Sequence, residues 1–461
     1  MTALDGVLKR VDGNLDQAIR RLFDLVRIPS ISTDPAHAAD CVRAADWLVA
    51  DLKGMGFEAR AAATAGHPMV VAHHCKAPGK PHVLFYGHYD VQPVDPLHLW
   101  KRPPFEPAVI EAGTGRQLTG RGTSDDKGQL MTFVEAARMW IAETGSLPLN
   151  VTILFEGEEE SGSPSLVPFL RKHRKELKAE YALVCDTGMW DRNSPCITTA
   201  LRGLVGEEVT IRAANRDLHS GMYGSAARNP IHVLADILAS LHDAKGRVTL
   251  PGFYKGVPET PKAVLAQWKK LKGQERKFLT DIGLSVAAGE KGRSLLEMTW
   301  ARPTAEVNGI SGGYTGDGFK TVIASEAKAK VSFRLVGTQD PDAVRASFRA
   351  HVKKRLPRDC KATFAPHGGS PAIRLDPKMP ALAKAAGALK DEWGKAATLT
   401  AMGGSIPVVG YFQSVLAMQS LLVGFGLDDD RIHSPNEKYE LASFHRGTRS
   451  WARILQALAN S

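Results

Sequence analysis

Up to Ala200, apolar positions alternate between two periods. Residues 38–55 (AADCVRAADWLVADLKGM) space them three and four apart, the pattern of an amphipathic helix. Short unbroken apolar runs stand at His82–Tyr86 (HVLFY), Asn150–Phe155 (NVTILF) and Tyr181–Cys185 (YALVC), each the length of a strand. Helical spacing fills the intervals, over Gln129–Glu143 and near Ser165–Leu177. Strands separated by helices predict parallel pairing, because a parallel crossover needs a dozen or more residues.

Past Ala200 the texture changes. Glu207–Arg212 (EEVTIR) and Lys328–Leu335 (KAKVSFRL) alternate as half-exposed antiparallel strands do. Helical patterns accompany them at Ile231–His242 and Pro341–Val352, while residues 251–320, rich in Gly, Pro and charge, resist assignment. Apolar strand and helix signals return at Gln419–Phe425 (QSLLVGF) and Tyr439–Leu458. The expected fold is α/β. A domain with a mostly parallel sheet, residues 1–203 and 376–461, is interrupted by an inserted α+β domain, residues 204–375.

At 461 residues the chain exceeds one ordinary core. Its 43% hydrophobic and 23% charged content is that of a globular protein, which excludes disordered and fibrous classes. No run approaches the roughly 18 apolar residues of a membrane helix. The amino terminus lacks the continuous apolar stretch of a signal peptide, so a cytoplasmic protein without a membrane partner is expected. Five scattered cysteines with no C-x-x-C pair imply reduced thiols rather than a disulfide framework or zinc ribbon. The net charge of +10 admits nucleic acid as a partner. The densest basic stretch, Arg171–Lys178 (RKHRKELK), already contains Glu176 and reads as a solvated helix face, so no nucleic-acid binding is expected.

The informative polar groups lie just past the predicted strands, where ligand sites form in open α/β sheets. His82–Tyr86 leads into His88-Tyr89-Asp90, and in extended backbone His88 and Asp90 share a face. Asn150–Phe155 leads into Glu156-Gly157-Glu158-Glu159-Glu160, four acids in five positions. Such a run is costly beside a buried strand unless solvent or a cation offsets it. Gly120–Gly128 (GRGTSDDKG) precedes a helix, Asp186 follows Tyr181–Cys185, and His433 sits in a loop after Gln419–Phe425. Each has an ordinary structural explanation alone: an acidic loop, a helix cap, a structural histidine. Together they supply His88, Asp125, Glu160, Asp186 and His433. Two imidazoles and three carboxylates suit two divalent ions, zinc first and manganese or cobalt next. Glu159, beside a ligand but not needed as one, is then the natural general base for an activated water. There is no H-E-x-x-H helix and no P-loop. Gly309–Gly313 matches G-x-S-x-G but lacks the helix that a nucleophile elbow requires.

The segments HYDVQP (88–93), GRGTSDDKG (120–128), EGEEESGS (156–163) and HSPNEK (433–438) resemble metallopeptidase family twenty, in its carnosinase and cytosolic non-specific dipeptidase branch. RDLHSG (216–221) and SFRLV (332–336) match that branch too, and the likeness runs from about residue 20 to residue 450. The resemblance implies a dinuclear site bridged by Asp125, with His88 and Asp186 on one metal and Glu160 and His433 on the other. It implies that Asp90 orients His88, that Glu159 is base and later proton donor, and that the Asp125–Asp126 peptide is cis. The inserted domain corresponds to the family's lid and dimerisation domain. There His219 would polarise the scissile carbonyl in the partner subunit's site, and Arg334 would bind the substrate's terminal carboxylate. Thr321, His367 and Ser405 fall at the branch's remaining substrate-contact positions. Ala401-Met402 stand where the branch commonly has Arg-Glu before Gly-Gly-Ser-Ile-Pro. The implied activity is hydrolysis of dipeptides by a homodimer. N-acyl-amino-acid deacylation or carboxypeptidase action at the same metals is the alternative.

Overall fold

The computed structural model describes residues 2–271, 274–376, 378–404 and 406–460. The chain forms two compact units: Met1–Thr199 with Leu375–Thr400 and Tyr411–Ser461, and Ala200–Arg374 with Ala401–Gly410.

In the first unit the sheet order runs Glu58–Ala62, Met69–His74, Asn150–Glu156, His82–His88, Tyr181–Val184, Gln419–Leu422, Cys196–Leu201. The four middle strands pair in parallel, as the helix-separated apolar runs predict. Val83–Tyr86, Leu154, Phe155 and Ala182–Val184 are buried, because helices cover both faces of a parallel centre. Both flanks are antiparallel, through Met69–His74 on one side and Cys196–Leu201 on the other. The core lies where the helices Lys127–Thr144 and Leu441–Ala459 pack together. Phe85 stacks on Phe133 at 3.7 Å, and Trp451 meets both rings edge-on at 5.5 and 5.6 Å. Losing such an aromatic typically costs about 3–5 kcal/mol.

Several boundaries differ from the sequence-based expectation. The strand at 419 ends at Leu422, because Gln129 Oε1 accepts from the backbone N–H of Phe425 (2.7 Å) and Gly426 (3.2 Å) in place of a sheet partner. The helix near 165–177 is two pieces, Leu166–Lys172 and Arg174–Leu177. The break falls at His173, whose ring stacks on Phe169 and bonds Glu176, itself held by Arg60 and His73. The expected helix from Tyr439 begins at Leu441, and Lys438–Glu440 is a strand beside Gly115–Thr119. Helices Ala3–Gly13 and Leu15–Val26 precede the first element that the sequence pattern predicts.

The second unit is built on an antiparallel sheet in the order Thr304–Gly312, Glu326–Leu335, Gly203–Arg212, Lys361–Ser370. Burial alternates strictly along the two central strands, Gly203–Arg212 and Glu326–Leu335, so their apolar sets (Val205, Val209, Ile211 and Ala327, Val331, Phe333 among them) meet one core. Helices Pro230–Ala239 and Pro341–Arg355 pack on these strands. Each starts with a proline after an acid or amide cap: Asn229 accepts from Ile231 N–H and Asp340 from Asp342 N–H, both at 2.9 Å. Among the described residues, no helix is long and apolar enough to cross a membrane.

Candidate metal centre

Parallel pairing places His88 opposite Glu156, so the strands His82–His88 and Asn150–Glu156 end on one edge, beside Tyr181–Val184 and the following Asp186. The loop opening helix Lys127–Thr144 brings in Asp125, and the loop before Lys438 brings in His433. Asp125 turns its two oxygens to different histidines: Oδ1 lies 3.1 Å from His88 Nε2, and Oδ2 lies 3.0 Å from His433 Nε2. His433 Nε2 is also 3.4 Å from Glu160 Oε2. The five residues therefore form two groups, His88–Asp125–Asp186 and Asp125–Glu160–His433, whose donor atoms lie within 4.8 Å of one another. Asp125 belongs to both. Glu159 belongs to neither.

The acidic run divides by task. Glu158 is buried and accepts from the backbone N–H of His67 and Ser165, each at 2.9 Å, which folds the turn. Glu156 accepts from the Tyr86 hydroxyl at 2.7 Å. That leaves Glu159 and Glu160, whose backbone N–H groups both donate to Asp90, at 3.3 and 3.0 Å. Asp90 also approaches His88 Nδ1, at 3.4 Å to Oδ1 and 3.1 Å to its backbone carbonyl. One buried carboxylate thus orients an imidazole and grips the acidic turn, a double use that the H-x-D spacing alone does not reveal. Gly157 is required by contact: a Cβ there would lie 2.2 Å from the Tyr89 hydroxyl. The Asp125–Asp126 peptide is cis, as the resemblance implies.

Two supporting groups were not anticipated. Asp126 Oδ2 accepts from the His88 backbone N–H at 3.1 Å and lies 3.4 Å from the Cys185 thiol. Gln92 Nε2 donates to Glu160 Oε2 at 2.7 Å. Both residues sit inside the recognisable motifs, DDKG and HYDVQP, but neither spacing indicates which atom it meets.

The electrostatics are those of a crowded acid cluster. Burial and the charge of Asp125 push Asp186 up to about 7. Burial, with Asp186 and Glu160 nearby, raises Glu159 well above the usual carboxylate range, against the pull of His88. Glu160 is raised by burial and by Asp125. Burial opposes ionisation of Asp125 too, but its bonds to His433 and His88 hold it below the usual range. His433, bonded to Asp125 and Glu160, is pushed up to about 10. Glu160 Oε1 is buried with no hydrogen-bond partner. An orphaned carboxylate oxygen within a cluster of acids and imidazoles fits divalent cations, which would offset the repulsion and use the open lone pair.

The remaining sequence-derived candidates lie in the second unit. His219 is exposed at the end of Leu218–His219, accepts from Gly221 N–H at 3.1 Å, and lies 3.4 Å from Thr321 Oγ1. Their neighbouring strands, Leu218–His219 and Val322–Ile323, pair antiparallel, and this pairing brings the two side chains together. Arg334 stands opposite Leu204 in the sheet, and burial lowers its pKa. His367 sits at a bulge in Lys361–Ser370, where Arg345 Nη2 donates to the His367 and Gly368 carbonyls at 3.2 and 2.6 Å. Ser405 lies outside the described residues. Arg202, which no motif pointed to, donates to the carbonyls of Gly403 (2.9 Å), Arg302 (3.3 Å) and Met298 (3.4 Å). Burial and the charge of Arg334 bring it down to about 10.

Over its full length the chain is 28% identical to the Cys-Gly metallodipeptidase DUG1 of Saccharomyces cerevisiae, covering 99% of that protein. A solved structure of the di-peptidase Dug1p from that yeast superposes with a TM-score of 0.87 at 27% identity, covering both chains completely. The human Beta-Ala-His dipeptidase is 26% identical over 99% of this chain and 93% of its own. The M20 family metallo-carboxypeptidase Sso-CP2 from Sulfolobus solfataricus superposes with a TM-score of 0.86 at 29% identity, covering 96% of this chain and 99% of its own. The pattern of Peptidase family M20/M25/M40 matches residues 84–457, from the strand that carries His88 to the last helix, and the chain belongs to that family.

Proposed function

We propose that this protein is a two-metal dipeptidase that hydrolyses the amide bond of small peptides. The observation that carries this reading is Asp125, whose two oxygens face His88 and His433 at 3.1 and 3.0 Å, with Glu159 adjacent to but outside both donor groups. Relatives named as dipeptidases along the whole chain support it. His88, Asp125 and Asp186 would hold one ion and Asp125, Glu160 and His433 the other, with zinc the first choice and manganese or cobalt next. Bound there, the ions supply Lewis acidity, polarising the scissile carbonyl and acidifying water.

The protein's own groups do the rest. Glu159 takes the proton of the attacking water and returns it to the leaving amine. Asp90 keeps His88 in one tautomer and orientation. His219 donates toward the carbonyl oxygen as it gains charge, with Thr321 beside it. Arg334 pairs with the substrate's terminal carboxylate through its planar fork, and His367 and Ser405 complete the substrate contacts. The protein works in the cytoplasm as a homodimer formed through the second unit.

Chelation is expected to abolish hydrolysis, and zinc, manganese or cobalt to restore it. Full activity in exhaustively metal-free protein would sink the reading. The same assay should span dipeptides, tripeptides and N-acyl-amino acids. A carboxypeptidase or deacylase reading is favoured by the likeness to Sso-CP2, while Ala401-Met402 in place of a charged pair leaves the exact substrate to be fixed by the assay. It wins if blocked amino termini are cleaved faster than free ones.

The assignment of His219 to the partner's site has its own test. Homodimers lacking His219 and homodimers lacking Glu159 should both be inactive. A heterodimer of the two should recover one site and about half the wild-type rate, for independent sites under twofold symmetry. Inactive heterodimers that are folded and metal-loaded would show that His219 acts within its own chain or not at all.

A further inference from the structure

One buried carboxylate outside both donor groups holds four donors at once. Glu437 is fully buried at the end of the loop that carries His433. Its Oε2 accepts from Arg121 Nη1 at 2.8 Å and from Gly122 N–H at 3.0 Å. Its Oε1 accepts from the backbone N–H of Ser124 at 2.9 Å and of Asp125 at 3.1 Å. The Glu437 carbonyl accepts from Gly120 N–H at 3.1 Å. Every donor belongs to the loop that carries Asp125. Glu437 therefore fastens the Asp125 loop to the His433 loop on both of its oxygens, beside one further link, Ser124 Oγ donating to Asp430 Oδ2 at 2.8 Å.

The His433 loop is held by polar anchors, Glu437 on the Asp125 side and Asn436 on the other, where Asn436 accepts from Lys101 N–H at 2.7 Å and donates to the Leu99 carbonyl at 2.8 Å. Arg431, His433 and Asn436 have φ of 58°, 60° and 65°, a left-handed region that is uncommon outside glycine, though Asn and His enter it more readily than Arg, and three such residues fall within six positions. Such backbone persists only where its surroundings over-determine it. The His433 side chain is 54% exposed, so core packing does not hold it. The other donor group is supported differently. His88 ends a strand paired on both sides and is bonded by Asp90 and Asp126, and Asp186 follows a strand of the same sheet.

We infer that Glu437 is a positioning residue: it sets the spacing between Asp125 and His433, so that the ion held by Asp125, Glu160 and His433, two of whose loops it joins, depends on it more strongly than the ion held by His88, Asp125 and Asp186, which shares only the Asp125 loop. This rests on the two-ion reading above. Glutamine in its place keeps the shape but turns an NH₂ group toward two N–H donors, releasing one side of the grip. Aspartate keeps the charge but is one methylene too short to reach both sides.

The test is a cobalt(II) titration of metal-free wild type, Glu437→Gln and Glu437→Asp, followed by visible absorption and by metal content. Wild type should take up two ions. Glu437→Gln should bind the first ion with the smaller loss of affinity and the second on the order of 10–100-fold more weakly, with excess cobalt restoring both the two-ion spectrum and hydrolysis. If glutamine prevents folding, Glu437→Asp should show the same selective weakening in a folded protein. Equal weakening of both ions, or no weakening of either, in a folded variant overturns the inference while leaving the two-ion site intact. Fewer than two ions in wild type would overturn the two-ion reading and this inference with it.

Discussion

Glu159→Gln is expected to lower kcat by about 10²–10⁴ while about two metal ions remain bound. Glutamine is nearly isosteric with glutamate but cannot take a proton from water, so under the proposed roles the variant removes the base without removing a ligand. The geometry supports this separation, because Glu159 lies outside both donor groups while its neighbour Glu160 lies in one. The backbone N–H groups of both residues are fixed by Asp90, so exchanging the Glu159 side chain leaves the turn anchored. Glu160→Gln should behave differently, weakening or losing the ion near His433. Steady-state kinetics paired with metal content separates the two. The reverse pattern, with metal lost from Glu159→Gln and retained in Glu160→Gln, would exchange their roles.

Asp125→Asn should be more severe, abolishing hydrolysis with the loss of both ions. Asp125 is the one residue common to the two groups, and its two oxygens face different imidazoles. Asparagine keeps one carbonyl oxygen but removes the negative charge, and its NH₂ cannot ligate. Asp186→Asn, altering a group member that is not shared, should lose one ion and retain the other. Metal content after dialysis, alongside activity, reads the difference. An Asp125→Asn protein that still holds two ions would show that the carboxylate is not the bridge.

Much of this was legible in the linear chain, for a physical reason. The middle strands of a parallel sheet are covered on both faces, so HVLFY, NVTILF and YALVC stand out as unbroken apolar runs. Residues just past such strands converge on one edge, so His88, Glu160 and Asp186 are conspicuous as polar groups following apolar ones. The second unit's alternating strands are legible for the complementary reason, since one face is packed by helices and the other is not.

What depends on partners far along the chain was not legible. No local period announces that Gln129 ends the strand at Leu422, that Glu176 and Phe169 engage His173 where a helix breaks, or that the sheet's flanks are antiparallel. The motifs mark Asp90 and Glu437 as acids, but their bonds to the Glu159–Glu160 turn and to the Asp125 loop exist only once the loops are folded together. Side-chain type and strand period are properties of neighbouring residues, and they determined the fold class and the candidate ligands. Which oxygen meets which donor is a property of packing between distant segments, and only the tertiary structure decided it.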